Sequence, residues 1–197
     1  MARFLVLYGT TDGHTARIAR SIGDALRARG AEVDVIDAAE ASSIWPHDYS
    51  GVVVAASVHA GEYQASVRSW VRAHAPILQE RPTAFVSVCL GVLQQDPGVR
   101  RDLDAIIDRF VTETGWRPTT TKIVAGALLY TRYNWFKRLV MRRIARKAGG
   151  DTDTTRDYVY TDWNDVRGFA EGFGRWVSRG LADESADRRV RRVAAVA

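Results

Sequence analysis

Glycine, threonine and a histidine are concentrated at residues 9–15, Gly9-Thr10-Thr11-Asp12-Gly13-His14-Thr15, directly after an apolar run at 4–8 and directly before a segment with helical spacing. A strand-to-helix turn of this composition gathers hydroxyls, backbone N–H groups and the positive end of a helix dipole at one point. Its natural guest is an anion, and a terminal phosphate fits. The loop is not a dinucleotide fingerprint, because GxGxxG is absent, nor a nucleoside-triphosphate loop, because no Gly-Lys-Ser/Thr follows. The same residues also make an ordinary helix start, in which Asp12 or Thr15 caps the first turn and Gly13 turns the chain.

Two further turns could complete a site. One is Ser57-Val58-His59-Ala60-Gly61-Glu62-Tyr63, after an apolar run at 51–57, and the other is Val88-Cys89-Leu90-Gly91, at the end of a run at 83–88. In an open α/β sheet, ligands bind at the C-terminal ends of strands where the strand order reverses. Both turns would then flank a flat ligand whose phosphate sits in the first loop. His59 and Tyr63 are the candidates for a proton acceptor, with an exposed turn histidine of no special role as the plain alternative for His59. The four histidines, His14, His47, His59 and His74, lack metal-ligand spacing such as HExxH, so no metal is expected. There is no G-x-S-x-G elbow, and Cys89 reads as a small buried hydrophobe rather than a nucleophile.

The elements that would position these turns are legible. Near-continuous apolar runs at 4–8, 51–57 and 83–88, a later one at 123–129 and a weaker one at 33–36 read as strands buried on both faces. Helical spacing appears at 15–29, 66–75, 103–112 and 163–177. The first places Ile18, Ile22, Ala25 and Leu26 on one face and stops at Gly30, and the last aligns Val166, Phe169, Ala170, Phe173 and Trp176. This alternation predicts an α/β doubly wound fold with a five-stranded parallel sheet, and for a strand order of 2-1-3-4-5, that of a flavodoxin-like sheet, the switch point lies between strands one and three.

Composition bounds the rest. The chain has 197 residues, 46% of them hydrophobic, with 28 Lys+Arg against 23 Asp+Glu and a net charge of +5. That excludes disordered, collagen-like and low-complexity classes and predicts one domain at 1–181 with a basic tail at 182–197. A single cysteine fits a reducing compartment, and no run approaches the length of a signal peptide core or a membrane span. The rhythm breaks only at 130–162, a length that points to function or to disorder. Between 130 and 150 stand seven basic residues and no acidic one, with Trp135, Phe136, Leu139, Val140 and Ile144 at spacing that gathers them into one stripe of a helix. Such an amphipathic helix suits an anionic membrane surface, while a stripe packed on the sheet with a solvated basic face is the alternative. Nucleic acid is disfavoured, since no nucleic-acid-binding motif accompanies the charge.

The loop Thr10-Thr11-Asp12-Gly13-His14-Thr15 resembles the Thr-x-Thr-Gly-Asn-Thr phosphate loop of the flavodoxin-like family, with Asp12 and His14 as departures. Further segments, among them 125–130, Arg132-Tyr133-Asn134-Trp135-Phe136, 149–154 and Val159-Tyr160-Thr161-Asp162-Trp163, narrow the resemblance to the menaquinone-dependent protoporphyrinogen IX dehydrogenases of that family, over about 3–175. The resemblance implies noncovalent FMN, oxidation of protoporphyrinogen IX, electrons passed to menaquinone or another membrane quinone, and a cytoplasmic protein peripheral on the inner face of the cell membrane. Carried over, Thr10 to Thr15 would hold the phosphate. Ser57, Val58, His59, Ala60 and Gly61, with Val88, Cys89, Leu90 and Gly91, would edge the isoalloxazine. Thr152, Asp153 and Thr154 would approach from the insertion, and Arg132, Trp135, Phe136, Arg138 and Arg142 would meet substrate carboxylates or the membrane. A member of the family has an Arg-Tyr pair where this chain has His59-Ala60, and a longer basic stretch where this chain has 93–98, which bears on substrate and flavin-edge contacts. An FMN-binding electron carrier or an NAD(P)H:quinone reductase with a basic docking surface is the alternative.

Overall fold

In the computed structural model, which describes residues 1–94, 96–132 and 151–194, five parallel strands form one sheet. They are β1 (Arg3–Gly9), β2 (Glu32–Asp37), β3 (Gly51–Ser57), β4 (Thr83–Cys89) and β5 (Thr120–Ala125), in the spatial order β2-β1-β3-β4-β5. The alternation of side chains along each strand divides the core in two. Phe4, Val6, Val53, Ala55, Ala84 and Val86 face α1 (His14–Arg27) and α4 (Trp163–Ala194), meeting Ile18, Ile22, Leu26, Val166, Ala170 and Phe173. Leu5, Leu7, Val52, Val54 and Phe85 face α2 (Ala65–Gln79) and α3 (Pro97–Thr114), meeting Val67, Trp70, Val71, Leu78 and Phe110. Each fully buried aliphatic or aromatic side chain contributes roughly 1.5–3 kcal/mol, so β3 and β4, buried along nearly their whole length, anchor the sheet.

Register brings the strand ends to one level. Gly9 pairs with Ala56, Ser57 with Val88, and Cys89 with Ala125. The turns that follow β1, β3, β4 and β5 therefore open on the same edge of the sheet, at its switch point.

Several expectations change. The run at 123–129 is not one strand: β5 starts at Thr120, and Gly126 breaks it. Ala127–Leu128, here β6, then pairs antiparallel with β7 (Tyr158–Val159). β5 lies at the sheet edge and is half exposed, so Thr120, Thr121 and Lys122 belong to it without an apolar signal. Helix α2 continues through Pro76 to Gln79, because the fully buried Leu78 holds its last turn on the core. Helix α3 begins six residues early at Pro97, with Asp96 as N-cap accepting the Gly98 N–H at 2.7 Å, and ends at a left-handed Gly115. Helix α1 ends at Arg27, with Gly30 at a positive φ beyond it. Trp176 is half exposed, and Val177 takes the core position instead. Helix α4 runs on to Ala194, so the stretch from 182 expected as a loose tail is helical that far.

The ends of the insertion are stitched together. Leu128, Leu129 and Tyr130 form a small cluster with Leu90, Tyr158 and Tyr160. The Tyr130 hydroxyl donates to the Asp151 carbonyl at 2.9 Å, the Tyr160 hydroxyl donates to the Asp151 carboxylate at 2.6 Å, and Thr131 donates from both N–H and hydroxyl to Asp157. Arg132 closes the short 3-10 turn Tyr130–Arg132. Trp135, Phe136, Arg138 and Arg142, and with them the amphipathic stripe, lie outside the described residues.

Candidate functional site

The loop after β1 is held open at a helix end. Gly13 is the N-cap of α1 at φ 87°, a left-handed conformation in which glycine carries no steric cost, and its N–H donates to Thr10 Oγ1 at 2.9 Å. The N-cap residue, Gly13, has no side chain with which to cap the helix. The first N–H groups of α1 have no partner within the helix itself, and the helix dipole adds positive potential there.

Beside this loop lies a cavity of about 280 Å³. Thr10, Asp12, His14 and Thr15 line one end; Ser57, Val58, His59 and Ala60 form one side, and Val88, Cys89, Leu90 and Gly91 the other. The structure thus brings together three segments that are far apart in the chain. Thr11, Gly13 and Gly61 shape these turns without lining the cavity. Gly61, at φ 81°, follows Ala60 at φ 51° in a two-residue hairpin closed by the His59 N–H to Glu62 carbonyl bond at 2.8 Å and its reciprocal at 3.1 Å. Positive φ at both positions is the pattern of a type I′ turn, and Ala60 carries its strain. This rigid hairpin sets His59 at the exposed rim.

Tyr63 is elsewhere. It is buried against Phe85 and Phe110, with its hydroxyl 2.8 Å from Ser87 Oγ, and burial raises its pKa. A phenol so placed is a core side chain and lines no part of the cavity. Thr152, Asp153 and Thr154 do not line it either: the Asp153 carboxylate is turned inward on the Thr155 N–H and hydroxyl, at 3.0 and 2.7 Å. Cys89 is buried, and burial raises its thiol pKa against backbone N–H donors at Val92 and Gly91. Among the described residues, no three His, Cys, Asp or Glu side chains gather as a metal site.

His14 has the most unusual surroundings. It is 5% exposed, its ring edge meets Trp163 at 5.8 Å, and its Nε2 lies 2.7 Å from Thr161 Oγ1. Thr161 donates its hydroxyl proton to the Ala125 carbonyl at 2.6 Å. Nε2 must therefore be the donor, which fixes the tautomer. Nδ1 keeps a lone pair that is buried and meets no hydrogen-bond partner. Burial first, and then the Arg17 charge, lower the imidazole pKa to about 4.

Other residues of the site had no motif to announce them. Gln64 donates from its amide to Ser57 Oγ at 2.8 Å and to Thr11 Oγ1 at 3.2 Å, and accepts the Ser57 N–H at 3.3 Å, so one side chain ties the phosphate-type loop to the end of β3. Its position just before α2 was the only cue. Leu103, Gly126 and Ala127 complete the cavity lining from α3 and the β5–β6 turn.

A parallel sheet of this order, with a glycine-threonine helix start at the reversal point and a slot between the next two strand ends, defines a flavodoxin-type protein. Residues 5–155 match the Flavodoxin domain family, and the chain belongs to it. The cofactor of such a domain is FMN. The site fits that group: a glycine-threonine turn at a helix N-terminus beside a slot walled by Val58, Ala60, Val88 and Leu90 is what a phosphorylated flat ring requires. At higher resemblance, the chain is 37% identical over 173 residues to a protoporphyrinogen IX dehydrogenase (quinone) of Leishmania major, covering 86% of this chain and 73% of that protein. It is 34% identical over 166 residues to the protein of the same name from Escherichia coli K12, covering 84% and 91%. The fold is shared with a flavodoxin from the domain Archaea, at TM-score 0.52, 14% identity and coverage of 89% and 99%. Oxidised flavodoxin 1 from Bacillus cereus gives TM-score 0.51 at 16% identity, with coverage of 88% and 98%.

Proposed function

We propose that this chain is an FMN-dependent oxidoreductase that converts protoporphyrinogen IX to protoporphyrin IX and passes the electrons to a membrane quinone such as menaquinone, as a step of haem formation. The observation that carries this reading is the 34–37% identity, over most of the chain, to two relatives that bear this activity as their name.

FMN, when bound, supplies the two-electron redox chemistry. The residues of this chain bind and orient. The N-terminal N–H groups of α1 and the hydroxyls of Thr10 and Thr15 hold the phosphate; Thr10 accepts from Gly13 and keeps its own proton to donate. Val58, Ala60, Val88, Leu90 and Gly91 exclude water from the two faces of the slot. The raised pKa of Cys89 keeps it a thiol, so no thiolate stands beside the ring. His59, at the rim, is the side chain placed to pass protons between the slot and solvent. Substrate carries carboxylates, and Arg132, Arg138 and Arg142 are suited to pair with them in a bidentate fork. Trp135 and Phe136, with the basic residues of the insertion, would rest on an anionic membrane, each Lys or Arg adding roughly 1 kcal/mol near the surface. No helix of the described residues is long and apolar enough to cross a membrane. Peripheral attachment on the cytoplasmic face is the reading these features support.

The test is anaerobic. The flavin-loaded protein is titrated with protoporphyrinogen IX and its visible absorption followed, then a menaquinone analogue is added. Bleaching and recovery support the proposal, whereas a flavin reduced by NAD(P)H and indifferent to porphyrinogen would make the protein a quinone reductase. Flotation with liposomes, with and without anionic lipid, tests the membrane part. Binding that survives replacement of Trp135 and Phe136 by Ser would refute the interfacial role.

A further inference from the structure

We infer that the groove between α1 and α4 docks on the headgroup phosphates of an anionic membrane, as a contact separate from the insertion. The choice of a membrane as the partner rests on the reading that the electrons leave for a membrane quinone.

A groove of about 710 Å³ runs between the two helices, lined by Arg17, Arg20 and Ser21 from α1 and by Trp163 and Arg167 from α4. All three arginines are exposed. Among the described residues, Arg20 and Arg167 have no ion-pair partner, and Arg17 lays its guanidinium over the Trp163 ring at 5.4 Å. The two acids that line the groove are already engaged: Asp24 pairs with Arg27 at 3.0 Å and Glu171 with Arg175 at 3.6 Å. Near the start of α4, Asp165 is held by Lys122 at 2.6 Å, and the Asp162 carboxylate accepts the Asn164 and Asp165 N–H groups. Three guanidiniums are thus left facing solvent from one hollow. Further along the same pair of helices, Arg29 and Arg179 line a second groove, so like charge continues down this side of the molecule. Such a concentration repels itself and attracts anions.

Position relates this groove to the slot. Helix α1 follows β1, and Thr161, two residues before α4, donates to the carbonyl of Ala125 at the end of β5, so both helices start at the sheet edge where the slot opens. Arg17 stands in the first turn of α1, and Trp163 is the first residue of α4. His14 lines the slot, Trp163 lines the groove, and their rings meet at 5.8 Å. A bilayer lying against this edge therefore meets the arginines beside the slot.

The chemistry favours a charged surface over a single small anion. Each guanidinium is exposed and none is braced by a carboxylate, so an isolated anion in water gains little from it. A leaflet of phosphates meets all three at once, each arginine raising partitioning about fivefold, and the guanidinium fork fits phosphate oxygens. Nucleic acid offers the same oxygens and is the competing outcome of the test.

The experiment is sedimentation of the FMN-loaded protein with phosphatidylcholine vesicles, with and without phosphatidylglycerol. Arg17→Gln, Arg20→Gln and Arg167→Gln are made singly and together. The comparison is Arg100→Gln, Arg101→Gln and Arg109→Gln together, an equal change of charge on exposed residues of α3 in the opposite helical layer. The expected binding requires phosphatidylglycerol, weakens as salt rises, falls about fivefold for each groove arginine and about a hundredfold for all three, and changes little in the α3 triple. Lysine at the same three groove positions keeps the charge and should keep most of the binding, which separates lost docking from lost folding. Unchanged binding in the groove triple would overturn the inference, and so would equal losses in the two triples, which would make net charge the cause. Capture of duplex DNA through the same arginines, with no capture by vesicles, would overturn it in favour of nucleic acid. Flavin bleaching by protoporphyrinogen IX and recovery with a soluble quinone analogue, followed without vesicles, judge the redox reading separately. Normal turnover with vesicle binding that ignores the groove sinks the docking alone, and a flavin that porphyrinogen leaves oxidised sinks the redox reading.

Discussion

Replacing Gly9 by Ala probes how the site is built. Gly9 ends β1 and is fixed by register against Ala56 of β3. A Cβ at this position would stand 2.5 Å from Val67 Cγ2 and 3.1 Å from both Cβ and Oε1 of Gln64. Carbon atoms in contact prefer about 3.5–4.0 Å, so the overlap with Val67 is about 1 Å. Val67 is fully buried and cannot swing away, and overpacking of this kind typically costs about 1–3 kcal/mol. For a domain of this size each kcal/mol lowers Tm by about 2–4 °C, which gives a loss of roughly 2–12 °C by thermal circular dichroism of the apoprotein. The second contact reaches function, because Gln64 is the side chain that joins Thr11 to Ser57. Losing one of its bonds forfeits about 0.5–1.5 kcal/mol, up to about tenfold in FMN affinity by fluorescence quenching. In a Val67→Ala background the clash is gone, and Gly9→Ala should cost far less, a coupling of at least about 1 kcal/mol between the two sites. An unchanged Tm in the single variant, or additive losses in the double, would refute this account of the close approach.

Tyr63→Phe should lower stability by about 1–2 kcal/mol, because Ser87 loses its partner, and leave turnover unchanged; a large loss of turnover would return Tyr63 to the site. The His14 imidazole has its pKa depressed to about 4 in the folded apoprotein, from about 6.5 unfolded. The unfolded chain therefore binds the extra proton between these values, and folding stability is full above about pH 6.5 and falls as pH drops toward 4. The fall is on the order of 3 kcal/mol by denaturant titration, and His14→Gln should remove that component. Cys89 should react sluggishly with iodoacetamide at pH 8 in the native protein, since burial holds its thiol protonated, and more slowly still with FMN present; fast labelling would contradict its position in the wall.

The three central strands were legible because both of their faces are buried, which leaves near-continuous apolar runs at 4–8, 51–57 and 83–88. The loop at 9–15 was legible for a different reason: its chemistry is local, carried by seven consecutive residues and a helix start. The alternation of these elements pointed to a doubly wound sheet, the resemblance to flavodoxins implied its strand order, and the place of the slot followed from that order. β5 was misread because an edge strand shows only half an apolar pattern, and Gly126 was taken as part of a run that it interrupts.

Sequence alone thus determined the class of fold, the glycine-threonine loop at a helix start and which turns flank the slot, since each depends on near neighbours in the chain. Tertiary structure decided which candidates meet. It removed Tyr63, Thr152, Asp153 and Thr154 from the slot, and it added Gln64, Leu103, Gly126 and Ala127. It also reached across 147 residues to set Thr161 against His14, fix the tautomer of that ring and leave one of its nitrogens bare. Hydrogen bonds of this kind depend on where packed helices and strands bring distant groups, and no spacing along the chain encodes that position.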